Sequence, residues 1–315
     1  MPASSSPPLL AVLGSTATGK SALGIALAER YGGEIVNCDS TAVYQAFDIG
    51  TDKVPLADQR GIPHHLVDHV EPTAVYSAAQ YARDAAARIR EISSRGRVPI
   101  LVGGTGFYFR AVTRGLFDGP GRDDALRARL RRIAERHGVE RLHAMVARFD
   151  PASAERIMPR DEKRLVRALE VRLLTGRSLS AHFAETIRPL PEFRVCSIGL
   201  RLPAEAIGER VARRVESQWA RGVVREVERL LEAGVPRTAH PFSGLVYRQI
   251  LEMLDGVRSE DETRTLIVRE NRRYARRQLI WFRKEPTLKW LDGAGEWPAT
   301  FASACQAIDS WGVSG

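Results

Sequence analysis

The sequence predicts an α/β fold in which a parallel sheet is flanked by helices. Apolar runs at residues 9–13, 34–37 and 98–102 have the length of short buried strands. Helical patterns at 20–30 and 77–92 lie between them, and Ser77 stands where an N-cap is needed. Strands that alternate with helices in this order form parallel sheets, so these runs predict the core of the molecule.

An all-helical insertion domain is predicted to interrupt that core. From residue 122 onward, amphipathic helical stretches replace the apolar runs, and the segment 195–202 then has the pattern of a returning strand. Long helical patterns follow at 204–233 and 260–284. We expect three parts: a discontinuous α/β core at 1–121 and 191–291, a helical insertion at 122–190, and a C-terminal tail at 292–315.

Composition excludes several classes of protein. A chain of 315 residues with 44% hydrophobic and 27% charged residues is ordinary for a globular protein of about two domains. No apolar run approaches the ~20 residues of a membrane helix, so we expect no membrane association. Three distant cysteines predict neither a disulfide framework nor a local zinc motif, which favours a cytoplasmic location.

Positive charge is concentrated in two regions of the chain. The net charge is +9, and residues 264–284 alone carry eight basic side chains and one acidic side chain. Residues 122–172 carry fourteen basic and nine acidic side chains. Within residues 264–284, five arginines share one helical face, on which we expect no acidic partner: Arg269, Arg272, Arg273, Arg276 and Arg277. Such a face indicates either a polyanionic partner, with nucleic acid as the first candidate, or a solvated surface.

The segment from Gly14 to Ser21, GSTATGKS, fits the phosphate-loop pattern G-x-x-x-x-G-K-[ST] between a strand and a helix. Its glycines allow backbone N–H groups to surround a phosphate, and Lys20 adds a positive charge. The Ser21 hydroxyl can bind Mg²⁺. The motif refines the predicted fold to a P-loop NTPase-like sheet and predicts that a di- or triphosphate binds.

Two polar residues follow neighbouring strands at the same predicted edge of the sheet. Asp39 comes after the run 34–37, and Thr105 follows the run 98–102 and two glycines. Ligands of such sheets bind at the carboxyl ends of the strands. Asp39 therefore suits a general base or a magnesium ligand, although an aspartate also suits a turn, and Thr105 suits substrate orientation or an ordinary loop.

Seven segments in order make the chain resemble the bacterial tRNA dimethylallyltransferases over about residues 9 to 291. They are GSTATGKS, VNCDSTAVYQAFDIGTDK, PHHLVDHVEPTAVYSAAQY, GRVPILVGGTGFY, RDEKRLVRALEV, GVVREVERLL and YARRQLIWFRK. Members of that family transfer the dimethylallyl group of dimethylallyl diphosphate to an adenosine amine. The target adenosine lies 3′ of the anticodon in tRNAs that read codons beginning with U.

The resemblance implies a role for each matching residue. Asp39 would be the base that accepts a hydrogen bond from the amine, Thr105 would lie beside the flipped-out adenine, and Lys20 would neutralise the leaving group. The implied diphosphate-binding residues are Gly14, Ser15, Thr16, Ala17, Thr18, Gly19, Lys20, Ser21 and Arg214, with Mg²⁺ bound at Ser21. The implied tRNA-binding residues are Asp39, Ser40, Thr41, Ala42, Thr105, Arg127, Lys163, Arg164, Arg167, Arg272 and Arg276.

The resemblance also implies that the partners are the tRNA anticodon stem-loop and dimethylallyl diphosphate, and we expect a monomer. The chain departs from the family pattern at three positions. Ala42 replaces a common Gln, Val246 replaces a common Gly, and Ile280 replaces a common Thr.

Two alternatives explain part of the sequence. A P-loop kinase that phosphorylates a small metabolite would use the phosphate loop and Asp39, but it would leave the basic helix without a role. A non-catalytic RNA-binding protein would use the basic helix, but it would not need Lys20, Ser21 and Asp39 together. ATP turnover without RNA would favour the kinase, and RNA binding that ignores dimethylallyl diphosphate would favour the binding protein.

Overall fold

A computed structural model describes residues 6–117 and 119–313 of the chain; the first five residues of the predicted core, Asp118, and residues 314–315 lie outside the described part. The chain forms two compact units. The first combines Met1–Thr113 with Pro189–Gly315, and the second is Arg114–Arg188. The helical insertion therefore begins and ends a few residues before the predicted bounds of 122 and 190.

The first unit is built on a six-stranded sheet in which every strand pair is parallel. Its strands are β1 (Pro8–Gly14), β2 (Gly33–Asn37), β3 (His64–His65), β4 (Val98–Gly103), β5 (Arg194–Arg201) and β6 (Leu288–Asp292). The order across the sheet is β3-β2-β4-β1-β5-β6. This confirms the predicted α/β fold with a parallel, P-loop NTPase-like sheet.

Helices of both units follow the chain in the predicted alternation. They are α1 (Lys20–Tyr31), α2 (Ala78–Ser94), α3 (Gly106–Arg114), α4 (Asp124–His137), α5 (Val139–Phe149), α6 (Pro151–Arg156), α7 (Glu162–Thr175), α8 (Leu179–Ala184), α9 (Ala204–Ala220), α10 (Val223–Glu232), α11 (Tyr247–Leu254), α12 (Glu260–Phe282) and α13 (Pro298–Ser310). No helix in the described part of the chain has both the length and the apolar character that crossing a membrane requires.

Helix starts follow from local capping chemistry. The Ser77 hydroxyl accepts a hydrogen bond from the Gln80 backbone N–H at 3.2 Å, and the Gln80 side chain accepts one from the Ser77 N–H at 2.8 Å. Ser259 and Glu262 form the same reciprocal pair at the start of α12. Each pair satisfies N–H groups that the first helical turn leaves without partners.

The buried core of the first unit lies between the sheet and its helices. Leu23 and Leu27 of α1 are fully buried against strand residues such as Leu10 and Ile100. Burying a leucine side chain contributes roughly 1.5–3 kcal/mol, so this face fixes α1 on the sheet. The phosphate loop, which joins β1 to α1, is thereby held at the edge of the sheet.

The expectation of a separate tail at 292–315 is corrected by the structure. Residues 298–310 form α13, in which Ala304 and Ile308 are fully buried in the same core as α1. The Tyr31 hydroxyl donates a hydrogen bond to Asp309 at 2.7 Å. The segment therefore belongs to the packed core of the first unit and not to a separate tail.

The helical unit has a core of its own and an internal ion-pair network. Leu130, Leu142 and Leu165 are buried in one apolar cluster. The fully buried Glu170 carboxylate accepts hydrogen bonds from Arg127 at 2.7 and 2.8 Å and from Arg167 at 2.6 Å. Burial opposes the charge of Glu170, but the two guanidinium groups outweigh it and lower its pKa to about 2.

Replacing Glu170 by glutamine is expected to destabilise the helical unit by about 3 kcal/mol, because two guanidinium groups then lose their anionic partner in a buried site. Native-state hydrogen exchange of the full chain would measure the loss within residues 114–188. The control is Glu162→Gln in the same helix. Glu162 is 41% exposed and lies 3.7 Å from Arg131, so its loss should cost under about 1 kcal/mol. Equal losses in the two variants would contradict the assignment of a stabilising role to this network.

Candidate active site

Strands β1, β2 and β4 end at one cavity of about 660 Å³ in the first unit. The phosphate loop follows β1, Asp39 follows β2, and Gly103 and Gly104 end β4 and begin the next loop. Arginines of α9 and the inner face of α12 complete the wall. The predicted site residues that line the cavity are Thr16, Ala17, Gly19, Lys20, Ser21, Asp39, Thr41, Ala42 and Arg214.

The phosphate loop is held by contacts within itself. Lys20 Nζ donates a hydrogen bond to the Ser15 carbonyl at 2.6 Å, and the buried Thr18 hydroxyl donates to the same carbonyl at 2.9 Å. Gly14 has φ +151°, and a Cβ there would lie 2.8 Å from the Leu200 carbonyl oxygen. Ser15 and Thr18 therefore shape the loop from inside, whereas the Ser21 side chain is exposed at the cavity.

Lys20 lies in an electrostatic environment that an anion would change. Burial lowers its pKa to about 8; the nearby Asp39 carboxylate raises it, and the Arg214 guanidinium lowers it. A cation that is buried beside another cation is stabilised when an anionic ligand binds between them. The site is therefore electrostatically suited to a phosphate-bearing ligand.

Arginines of α9 extend the positive wall. Arg214 donates a hydrogen bond to the Thr16 hydroxyl at 2.9 Å, and its Nε lies 3.3 Å from an Asp52 carboxylate oxygen. Arg210 donates to the Ala17 carbonyl at 2.6 Å, and Arg213 also lines the cavity. Neither Arg210 nor Arg213 was predicted from the sequence as a site residue. The spacing of Arg210 and Arg214, four residues apart on one helix, was the signal that could have found the first.

Asp39 is held by one oxygen and leaves the other without a protein partner. Its Oδ1 accepts hydrogen bonds from the Thr41 N–H at 2.9 Å and the Thr41 hydroxyl at 2.7 Å. Among the described residues, Oδ2 has no hydrogen-bond partner. The Ser40 N–H donates to Thr105 Oγ1 at 3.0 Å, so the loops that carry Asp39 and Thr105 are directly joined. One carboxylate oxygen is thus positioned and free to accept a proton.

The inner face of α12 joins the two ends of the cavity. Gln278 accepts a hydrogen bond from the Thr16 N–H at 2.8 Å and donates one to the Gly104 carbonyl at 2.8 Å. Tyr274 lines the cavity nearby; burial, together with the negative charge of Asp39, raises its pKa to about 12. The phenol is neutral near pH 7 and can donate a hydrogen bond. Neither Tyr274 nor Gln278 was predicted from the sequence as a site residue.

A buried carboxylate on α10 shapes the loop opposite α9. Glu226 accepts hydrogen bonds from the backbone N–H groups of residues 48–50 at 3.0, 2.7 and 3.2 Å, and from the Tyr247 hydroxyl at 2.7 Å. This loop continues to Asp52, which pairs with Arg214. No sequence pattern signals this contact, because Glu226 and the loop are distant in the chain.

Val246, the N-cap residue directly before α11, lies at the cavity wall with φ +77° while its side chain is buried. A β-branched residue rarely adopts this conformation, and glycine adopts it freely. The departure of Val246 from the family pattern therefore falls at a strained position, where residues in such conformations cost of order 1–3 kcal/mol.

The outer face of α12 carries the predicted arginines, with one correction. Glu270 lies 2.8 Å from Arg273 and 3.8 Å from Arg269, so this face does hold an acidic partner. The helical period brings Glu270 beside Arg273, three positions later. Counting only the arginines of one face does not reveal this neighbour. Arg272 and Arg276 are exposed and form no ion pair within the described part of the chain.

The remaining predicted tRNA-binding residues lie in the helical unit. Arg127 and Arg167 bind Glu170, and Arg164 lies 3.3 Å from Asp161. Lys163 is exposed. The pairing of Arg127 and Arg167 explains their positions without RNA, so contact between these four side chains and tRNA stays a prediction.

The arrangement places a cationic wall and a free carboxylate oxygen in the same cavity. Lys20, Arg210 and Arg214 suit an anionic group, and Asp39 suits the acceptance of a proton from a second substrate. Such a site can transfer a group from a phosphate ester to a nucleophile whose proton Asp39 removes.

Comparisons with known proteins agree with this chemistry. The sequence model of the family described as IPP transferase matches residues 42–285. A tRNA dimethylallyltransferase of Koribacter versatilis is 42% identical over 304 residues, which cover 96% of this chain and 99% of that protein. One of Solibacter usitatus is 45% identical over 302 residues, with 96% and 98% covered.

Solved structures with the same fold belong to enzymes of this type. The full-length tRNA isopentenylpyrophosphate transferase from Bacillus halodurans superimposes with a TM-score of 0.72 at 33% identity, and 96% of each chain is covered. A eukaryotic dimethylallyltransferase acting on tRNA gives a TM-score of 0.78 at 26% identity, with 97% of this chain and 79% of that one covered.

Proposed function

The chain belongs to the IPP transferase family, and we propose that it transfers the dimethylallyl group of dimethylallyl diphosphate to the exocyclic amine of the adenosine 3′ of the tRNA anticodon. The C–O bond to the diphosphate breaks, an N–C bond forms, and the amine proton passes to Asp39. The observation that carries this proposal is the free Asp39 Oδ2 in the same cavity as Lys20 and Arg214. Because one chain supplies both groups, we also propose a monomer, which would act in the cytoplasm, where tRNA is found.

The cationic wall supports the leaving group. Negative charge accumulates on the diphosphate as the C–O bond breaks, so fixed cations beside it lower the barrier more than they strengthen ground-state binding. Lys20 and the α9 arginines supply that charge, and Arg214 is held by Thr16 and Asp52 before the donor arrives.

The residues at the cavity also fit Mg²⁺, which we propose as the cofactor. Ser21 offers a hydroxyl oxygen there, and Mg²⁺ commonly takes one or two protein oxygens together with waters and substrate phosphates. Among the described residues, no group of three or more His, Cys, Asp or Glu side chains could hold a metal alone, which suits an ion that diphosphate oxygens would share. When bound, the ion supplies neutralising charge to the diphosphate.

The acceptor end fits an adenine that has left its base stack. The target amine is inaccessible to a carboxylate inside a cavity while the base remains stacked, so the base must enter the cavity. Asp39 accepts the amine hydrogen. Thr105 accepts a hydrogen bond from the Ser40 N–H and so lies next to the loop that carries Asp39. Tyr274 adds a neutral hydroxyl to the same region.

A transfer assay tests the proposal. The protein would be incubated with labelled dimethylallyl diphosphate, Mg²⁺ and unmodified tRNA, with a parallel reaction that contains labelled ATP and no RNA. We expect label on the tRNA, and no label when the target adenosine is replaced by guanosine. ATP turnover with no transfer would favour the kinase, and tRNA binding without transfer would favour the binding protein.

Neutralising the unpaired arginines of α12 is expected to reduce the salt dependence of tRNA binding. The double variant Arg272→Gln, Arg276→Gln removes two phosphate contacts, and the slope of log K against log salt should fall by about 1.5. Titration with an anticodon stem-loop at several salt concentrations would measure it. The matched control is the double variant Arg269→Gln, Arg273→Gln. It removes two positive charges from the same helix, but both of these arginines already pair with Glu270. A slope that changes equally in both double variants would argue against a specific role for Arg272 and Arg276.

A further inference from the structure

The first turn of α3 presents an exposed aromatic ring and directly follows the loop that lines the acceptor end of the cavity. Phe107 follows Thr105 by two residues and is 53% exposed, whereas its neighbours Tyr108 and Phe109 are buried. Gly103 and Gly104, just before them, line the cavity. The fold therefore buries two rings of this aromatic run and leaves the first one uncovered, three residues after the cavity-lining Gly104.

Packing of α3 on α12 fixes the position of this turn. A Cβ on Gly106 would overlap the Trp281 ring, so the helix backbone lies directly against that side chain. The Arg110 guanidinium lies over the same ring at 4.8 Å and pairs with Glu285 at 2.6 Å. Phe107 precedes Arg110 by three residues and so lies on the same side of α3. The exposed ring is thereby held on a rigid helix at its junction with α12.

The nearby end of α12 carries exposed cationic and apolar side chains. Arg276 and Arg277 stand one turn before Ile280 and Trp281 and are exposed, and Ile280 is 46% exposed. Arg276 has no acidic partner among the described residues. An exposed ring on α3 and exposed guanidinium groups on α12, at the junction where Gly106 meets Trp281, match a ligand that combines flat apolar faces with phosphates, as single-stranded nucleic acid does.

We propose that the Phe107 ring stacks against a tRNA base that neighbours the target adenosine. This inference rests on the proposed function and adds a positioning residue to it. When the adenosine leaves the stack, each neighbouring base loses one stacked face. A ring at the acceptor end restores that contact and so stabilises the open anticodon loop. Because every base has an aromatic face, the contact would hold the loop without selecting its sequence.

Substitutions of Phe107 test the stacking. Phe107→Ala is expected to raise KM for an anticodon stem-loop by about tenfold, while Phe107→Tyr keeps the ring and stays within about twofold of the wild type. Phe107→Leu keeps apolar area without a ring and should fall between them. The KM for dimethylallyl diphosphate should not change. Val257→Ala is the control, because Val257 is 60% exposed and lies beyond the opposite end of the 23-residue helix α12.

A fluorescent base reports the contact directly. With 2-aminopurine next to the target adenosine, binding should quench fluorescence in the wild type and Phe107→Tyr but not in Phe107→Ala. Unchanged KM and unchanged quenching in Phe107→Ala would overturn the inference. An equal rise in the KM for the stem-loop and the KM for dimethylallyl diphosphate, together with a lower Tm, would also overturn it, because it would indicate a structural role. If the wild type modifies no tRNA, the proposed function itself fails, and quenching still reports on stacking.

Discussion

Replacing Asp39 by asparagine is expected to lower kcat by about 10²–10⁴-fold while tRNA binding stays within a few-fold. The amide keeps an oxygen for the hydrogen bonds from Thr41, so the loop should retain its geometry. It cannot accept the amine proton at Oδ2. Single-turnover transfer at saturating tRNA and donor would measure the chemical step, and filter binding would measure tRNA affinity.

The neighbouring charge requires a control. The Asp39 carboxylate raises the pKa of Lys20, so its loss moves that pKa further down and weakens donor binding at alkaline pH. Assays at about pH 6, further below the Lys20 pKa, reduce this effect. Asp52→Asn also removes a negative charge near Lys20, but it leaves the base intact, so we expect it to change donor KM more than kcat. A collapse of tRNA affinity in Asp39→Asn, with the chemical step unaffected, would assign Asp39 a structural role.

Much of this site could be predicted from the sequence because its parts follow strands. A buried strand is a local apolar pattern, and the residue after it must lie at the edge of a parallel sheet. The phosphate loop, Asp39 and Thr105 were found by that reasoning, and the structure joins the last two through the Ser40 N–H. Their catalytic roles stay predictions until the variants are assayed.

The parts that sequence reasoning missed depend on contacts between distant segments. Gln278 joins Thr16 to Gly104 across more than 170 positions of the chain. Glu226 holds residues 48–50 from a different helix. Neither side chain belongs to a local pattern, because its partners are backbone groups that carry no residue-specific signal. Such contacts emerge only once the topology is known.

Charge patterns predicted the position of basic side chains but not their partners. Arg127 and Arg167 belong to a region with an excess of positive charge, yet both are committed to the buried Glu170. Arg272 and Arg276 belong to the other such region and have no acidic partner in the described part of the chain. Counting charges therefore identifies candidates, and only their contacts separate structural arginines from those available to RNA.

Replacing Lys20 by methionine is expected to lower kcat/KM for the donor by about 10²–10³-fold, because the diphosphate loses a positioned cation as its charge develops. In the wild type, donor affinity should be nearly constant between about pH 7 and 8 and should fall about tenfold for each further pH unit, since the pKa of Lys20 is about 8 in the free protein. The donor is already ionised in this range, because phosphate groups lose their second proton near pH ~6. Steady-state transfer assays would measure kcat/KM for the donor. Isothermal titration with dimethylallyl diphosphate and Mg²⁺ would measure the pH dependence of donor affinity, and Lys20→Met should show no such slope.

The same pKa shift has the opposite consequence for the stability of the ligand-free protein. Lys20 has a pKa of about 8 in the folded chain and about 10.4 when unfolded, so unfolding takes up a proton between these values. The contribution of Lys20 to the free energy of unfolding should therefore rise from pH 8 to about 10.4, where donor affinity falls. Urea unfolding of the wild type minus that of Lys20→Met isolates this contribution from other titrating groups. A difference that does not change over this range would show that Lys20 is not desolvated in the free protein, and the alkaline loss of donor affinity would then require another group.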